Sequence, residues 1–157
     1  MKIRDLCGKG VFHMDGGANH SVAVCQDGRF LAWGRIDGGQ LGVQFSDEQL
    51  EDPDLVLRDD RGRPRICLRP TPVAHITNAL YATCGTDHTI FVDKAGKAYS
   101  SGFASSNQLG LGSEDDVHVA TEIKSKQLKG KKVVWAGAGG QFSMVAASTD
   151  IPNGTSS

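Results

Sequence analysis

His20 and His88 carry side chains of the kind that acid–base or metal chemistry would ask for, and they stand 68 positions apart in the same setting. Each closes a G-x-x-H motif, Gly17-Ala18-Asn19-His20 and Gly85-Thr86-Asp87-His88, and each leads into a short apolar run. A histidine that recurs once per copy argues for geometry over catalysis. No nucleophile elbow, P-loop, paired-carboxylate spacing or His/Cys ligand set accompanies them. Cys7, Cys25, Cys67 and Cys84 are 18, 42 and 17 positions apart, which fits no zinc pattern. They read as small buried thiols of a reducing, intracellular compartment. These residues call for no catalytic centre, no metal and no cofactor.

The elements that hold the histidines are themselves duplicated. Gly16–Gly42 and Cys84–Gly110 align without a gap, with Gly17/Gly85, Val24/Val92, Gly28/Gly96, Gly34/Gly102, Gln40/Gln108, Leu41/Leu109 and Gly42/Gly110 identical. A third copy opens at Gly139, where Phe142 takes the histidine position, 54 residues after His88. Self-similarity at this period marks a repeat architecture. In each copy a Gly-led corner precedes an apolar run (Ser21–Cys25, Thr89–Val92), a turn at Asp27-Gly28 or Lys94-Ala95-Gly96, and a second run ending at Gly34 or Gly102. Two such runs joined by a Gly turn predict an antiparallel hairpin. Val22 and Val24 point one way and Ala23 and Cys25 the other, so both faces are expected to be covered. Small sheets covered on both faces and repeated radially are propeller blades. The glycine before each histidine lets neighbouring backbones approach near the axis.

The expected fold is all-β: a partial β-propeller with about two complete four-stranded blades and the start of a third. The copies lie near 11–73, 79–124 and 132–147 within residues 1–150, and 151–157 is expected to be a disordered tail. Twenty glycines against five prolines, with 6% aromatics, fit turns and small packed residues. A net charge of −1 gives no overall field toward nucleic acid or acidic membrane. The amino terminus shows no signal-peptide pattern, and no apolar run reaches the ~18–20 residues of a membrane span.

Between Gly42 and Arg69 an insert at about 43–69, acidic and then alternating Arg with Asp, reads as a solvated surface loop with an irregular or briefly helical tip. A partner contact there is the alternative. Leu68–Val73, carrying Pro70 and Pro72, is expected to be an edge strand. Val117–Ile123 takes the same place in the second copy. Lys124, Lys126, Lys129, Lys131 and Lys132 form a basic turn, read as solvated or, alternatively, as a phosphate-contacting patch. Two blades and a fraction are too few to close a ring, which takes roughly four to eight.

The G-x-x-H corner, the Gly turn, the Trp33-Gly34 or Ser101-Gly102 strand end and the GQLG/NQLGLG phrases resemble the regulator of chromosome condensation repeat family, a seven-bladed propeller. The likeness runs from about Asp5 to Ala147 and is nearest to the C-terminal repeats of its fungal Ran guanine-nucleotide exchange factors, with about five blades and a wedge-like hairpin lying upstream. It implies a C-terminal fragment or truncated relative of an exchange factor for a Ran-type small GTPase. Such a factor stabilises the nucleotide-free GTPase and does no bond chemistry, and the chain alone is expected to show little exchange activity. The alternative is a protein-interaction propeller without exchange function. Partner contacts carried over by the resemblance fall on Asn19, His20, Asp87, His88 and Gln141. The competing reading for the histidines is that they order neighbouring backbone by hydrogen bonds. Gly17, Gly85, Gly139, Gln40, Gln108, Gly42 and Gly110 are read as structural repeat residues. The resemblance further implies nuclear residence and a chromatin contact through the rest of the parent protein, while the open blade faces themselves predict self-association.

Overall fold

Two hairpins, turned at Gly28 and Gly96 with φ of 86° and 84°, seed sheets in which every strand pairing is antiparallel. The computed structural model describes residues 3–149; the tail expected at 151–157 lies outside them. The first sheet holds β1 (Val11–Gly16), β2 (His20–Cys25), β3 (Phe30–Arg35), β4 (Val56–Arg58) and β5 (Pro64–Pro72), in the order β1-β2-β3-β5-β4. A short helix α1 (Asp47–Glu51) precedes β4. The second sheet runs in sequence through β6 (Ala79–Cys84), β7 (His88–Asp93), β8 (Ala98–Gly102) and β9 (Val117–Glu122). The third is one pair, β10 (Lys131–Ala138) and β11 (Ser143–Thr149). These are two blades and the first two strands of another.

Strand alternation sends apolar residues to both faces, as the runs imply. Val22, Val24 and Phe30 pack with Ala82, Cys84 and Phe91 between the first and second sheets. Ile90, Val92 and Ala98 turn the other way, onto Val133 and Ala136 of the third. Ala23, Cys25 and Leu31 lie on the outer flank of the first sheet, covered by Leu6, Val11 and Trp33. Phe30 meets Phe91 edge-on, with centroids 5.2 Å apart, a geometry worth about 0.5–1.5 kcal/mol beyond the area buried. Ser101 replaces Trp33 in the second copy, and the space is filled by the preceding loop: a Cβ on Gly42 would strike Ser101, Ala120 and Phe91.

The insert is more ordered than a solvated loop. Ser46 caps α1 through a reciprocal box with Gln49. The chain then returns as β4 and the first half of β5, burying Val56 and Cys67. Some of its charges pair: Arg58 bonds Glu51 and the Leu50 carbonyl, Arg63 pairs with Asp59, and Arg65 reaches Asp37. β5 is therefore not simply an edge. β4 covers its Pro64–Cys67 end, while Pro70 and Pro72 lie beyond the reach of that pairing, where missing N–H donors cost nothing. One thiol also departs from expectation. Cys25, Cys67 and Cys84 are buried, but Cys7 is exposed beside the 3-10 turn Arg4–Leu6. Burial pushes the Cys84 thiol up to about 12, so it carries no thiolate at neutral pH.

Candidate partner-binding corner row

Each glycine corner closes on its own repeat. The Gly17 N–H donates to the His20 carbonyl (2.9 Å), Gly85 to His88 (2.8 Å) and Gly139 to Phe142 (3.0 Å). Successive corners also bond one another. Ala18 N–H donates to the Thr86 carbonyl at 3.0 Å, and Thr86 N–H to the Gly139 carbonyl at 3.2 Å. A Cβ on Gly17 would collide with the Gly85 carbonyl and the His20 ring; one on Gly85 would strike the Gly139 carbonyl and the His88 ring. Only glycine allows three corners to stand this close in one row.

The histidines face the seams between sheets. His20 is 4% exposed and His88 0%. His20 Nε2 lies 2.9 Å from Thr89 Oγ1, and His88 Nε2 lies 2.8 Å from Ser143 Oγ. Each ring thus bonds the hydroxyl that follows the corner of the next sheet. Thr89 gives its one proton to the Gln40 carbonyl at 2.7 Å, so the His20 contact requires Nε2 to carry the hydrogen. That leaves Nδ1 bare, and Nδ1 of both rings has no hydrogen-bond partner among the described residues. Burial lowers the His20 pKa to about 4 and lowers that of His88 as well. Both rings are neutral at physiological pH. Phe142 offers no such donor and is 55% exposed, its ring lying over Gly139.

Side chains beside the rings occupy the outward edge of the row. Asn19 and Gln141 are exposed and Asp87 is half-buried. Gln40 Oε1 accepts from Gly38 N–H (3.0 Å), and its Nε2 lies 3.4 Å from Asp87 Oδ1. In the next copy Gln108 Oε1 accepts from Ser106 N–H (2.8 Å), and Ser106 Oγ lies 3.3 Å from Gln141 Oε1. The row therefore brings Asn19, Asp87 and Gln141 to one edge and turns His20 and His88 inward.

Sequence reasoning missed a charged cluster beside Asn19. Arg35 and Arg65 both pair with Asp37, and the hydrogen bond from Arg35 holds the Asp37 carboxyl below the ordinary carboxylate range. With Asn19 and Ile66 the two arginines line a hollow of about 290 Å³. The available signal was their absence from the repeat: Phe103 and Ser105 stand where Arg35 and Asp37 do. Asp15 was missed too. Its carboxylate accepts from Thr83 Oγ1 and Cys84 N–H, both at 2.9 Å, tying β1 to the next sheet.

Adjoining antiparallel sheets whose inner corners bond in a row define a run of propeller blades. Residues 95–146 match the family model described as Regulator of chromosome condensation (RCC1) repeat, and the copy at 16–42 aligns with 84–110 without a gap. Protein pim1 of Schizosaccharomyces pombe is 42% identical over 149 residues, which are 94% of this chain and 26% of that protein. Guanine nucleotide exchange factor SRM1 of Saccharomyces cerevisiae is 32% identical over 129 residues, 82% of this chain and 26% of its own length. The crystal structure of Prp20p from Saccharomyces cerevisiae, a protein characterised for its binding to Gsp1p and histones, superposes with a TM-score of 0.83 at 28% identity. That match covers 91% of this chain and 32% of Prp20p. The chain thus spans about a quarter to a third of the length of these relatives.

Proposed function

We propose that the corner row is part of the docking face of a guanine-nucleotide exchange factor for a Ran-type small GTPase. The observation that carries this reading is the alignment of Asn19, Asp87 and Gln141 along one edge of adjoining blades, in a chain whose relatives include an exchange factor. His20 and His88 serve the face from behind, by fixing one blade against the next. The mechanism is linkage: a surface that binds the nucleotide-free GTPase best must weaken nucleotide binding by the same factor. Each tenfold loosening takes about 1.4 kcal/mol of coupling. No bond is made or broken.

The test is binding of the chain to a Ran-type GTPase with and without GDP. Tighter binding to the empty form is expected, with the preference lost in Asp87→Lys. Equal binding to both forms contradicts the reading. It would favour the second one, an interaction module without exchange function. Because the rest of the propeller lies outside the chain, little acceleration of GDP release is expected from it alone. Nuclear residence, and a chromatin contact through the remainder of the parent protein, belong to the same proposal. So does self-association in isolation, because Phe12 and Met14 on the first sheet and Phe142, Met144 and Val145 on the third are exposed. Light scattering would show mass rising with concentration; a constant monomer would contradict it.

A further inference from the structure

The GQLG loop of each copy reaches forward to the corner of the next. Gln40 is 2% exposed, and its amide has one orientation available, since Gly38 N–H occupies Oε1 and directs Nε2 toward Asp87. The backbone of the same loop is fixed to the same corner strand, because the Gln40 carbonyl accepts from Thr89, two residues beyond Asp87. The second seam repeats the layout with different atoms. Gln108 locks Ser106, and the Ser106 hydroxyl meets Gln141.

We infer that Gln40 is a positioning residue for Asp87, holding one carboxylate oxygen so that the other meets a cationic side chain of the docked partner. The inference rests on the docking face proposed above. Asp87 Oδ2 has no hydrogen-bond partner among the described residues, and its residue is half-buried at the outward edge. A carboxylate with one oxygen tied and one open suits a single ammonium or guanidinium group. The side chain that contacts the partner in one repeat is thereby set by the loop of the repeat before it.

A double-mutant cycle tests this, read as the dissociation constant for a nucleotide-free Ran-type GTPase. Gln40→Met should weaken binding about fivefold in the native background and leave it unchanged in Asp87→Ala, a coupling of the size that residues in contact show. The same loss in both backgrounds would mean that Gln40 acts on the scaffold alone and would overturn the inference. A second readout needs no partner. Three-bond couplings should report one χ1 rotamer for Asp87 in the native chain and averaging among rotamers in Gln40→Met. If that variant does not fold, Gln40→Glu serves, since it keeps the acceptor for Gly38 N–H and removes the donor. Averaging that is already present in the native chain, or absent from the variants, overturns the positioning while leaving the docking face intact. An unchanged affinity of Asp87→Ala overturns the face, and with it any role for Gln40 in binding.

Discussion

The seam between the first and second sheets and the seam between the second and third share a backbone plan and differ in what fills it. Both have a glycine corner bonded to the next corner and a buried histidine reaching the next hydroxyl. The first adds the Asp15 carboxylate on Thr83 and Cys84, His13 donating to the Ala82 carbonyl at 2.8 Å, and the Phe30–Phe91 contact. At the second seam Thr83 and Tyr81 stand where Asp15 and His13 do. The apolar cluster there is small, and β11 carries exposed Met144 and Val145. The repeated residues bring the sheets together; the residues that do not repeat decide how firmly they hold.

The largest expected effect comes from the corner that both seams share. Gly85→Ala forces a Cβ into the Gly139 carbonyl and the His88 ring, and should cost about 3 kcal/mol in a denaturant melt, the upper end of what overpacking usually costs. Gly17→Ala makes the matching clash at the first seam, against the Gly85 carbonyl and the His20 ring, and should cost a similar amount; a melt left unchanged by either variant would contradict corners packed this closely.

Acid should weaken the first seam next. The folded pKa of His20, about 4, lies below the ordinary 6.5, so the unfolded chain takes up the proton first. Stability is therefore full above about pH 6.5 and falls as the pH drops toward 4, by about 1.4 kcal/mol per unit from this group. His20→Gln, which keeps a donor for Thr89 without the titration, should flatten that slope. His88 adds to the loss in the same direction. Melts at a series of pH values measure both.

Asp15→Ala leaves the Thr83 hydroxyl and the Cys84 N–H without their acceptor and should cost about 1–3 kcal/mol. Thr83→Ala removes a hydroxyl that has no matching role at the second seam and should cost less. The smallest effect belongs to the exposed Arg29–Asp27 pair at the hairpin turn, where Arg29→Ala should leave the denaturation midpoint essentially unchanged.

The hairpins were legible because Asp27-Gly28 and Lys94-Ala95-Gly96 carry their turn chemistry within a few residues. The two-sided burial of β2 and β7 was legible from the unbroken apolar runs. What escaped depends on how one sheet lies against the next. Ser21 and Thr89 align as a near match, yet nothing local says that Thr89 serves the histidine of the preceding copy, 69 residues away. Arg65 looked like one of several alternating charges; its pairing with Asp37 follows only once Arg35 and Ile66 sit opposite each other in β3 and β5. A run of Arg and Asp reads alike whether its charges face water or one another.

The tie between His20 and Thr89 can be observed directly by following the ¹⁵N and ¹H shifts of the His20 imidazole against pH, in the native chain and in Thr89→Val. A neutral ring protonated at Nε2, with a midpoint near 4, is expected in the native chain, and a changed Nε2 environment in the variant. A midpoint near 6.5, or an Nδ1–H tautomer unaffected by Thr89→Val, would contradict a seam built on this ring.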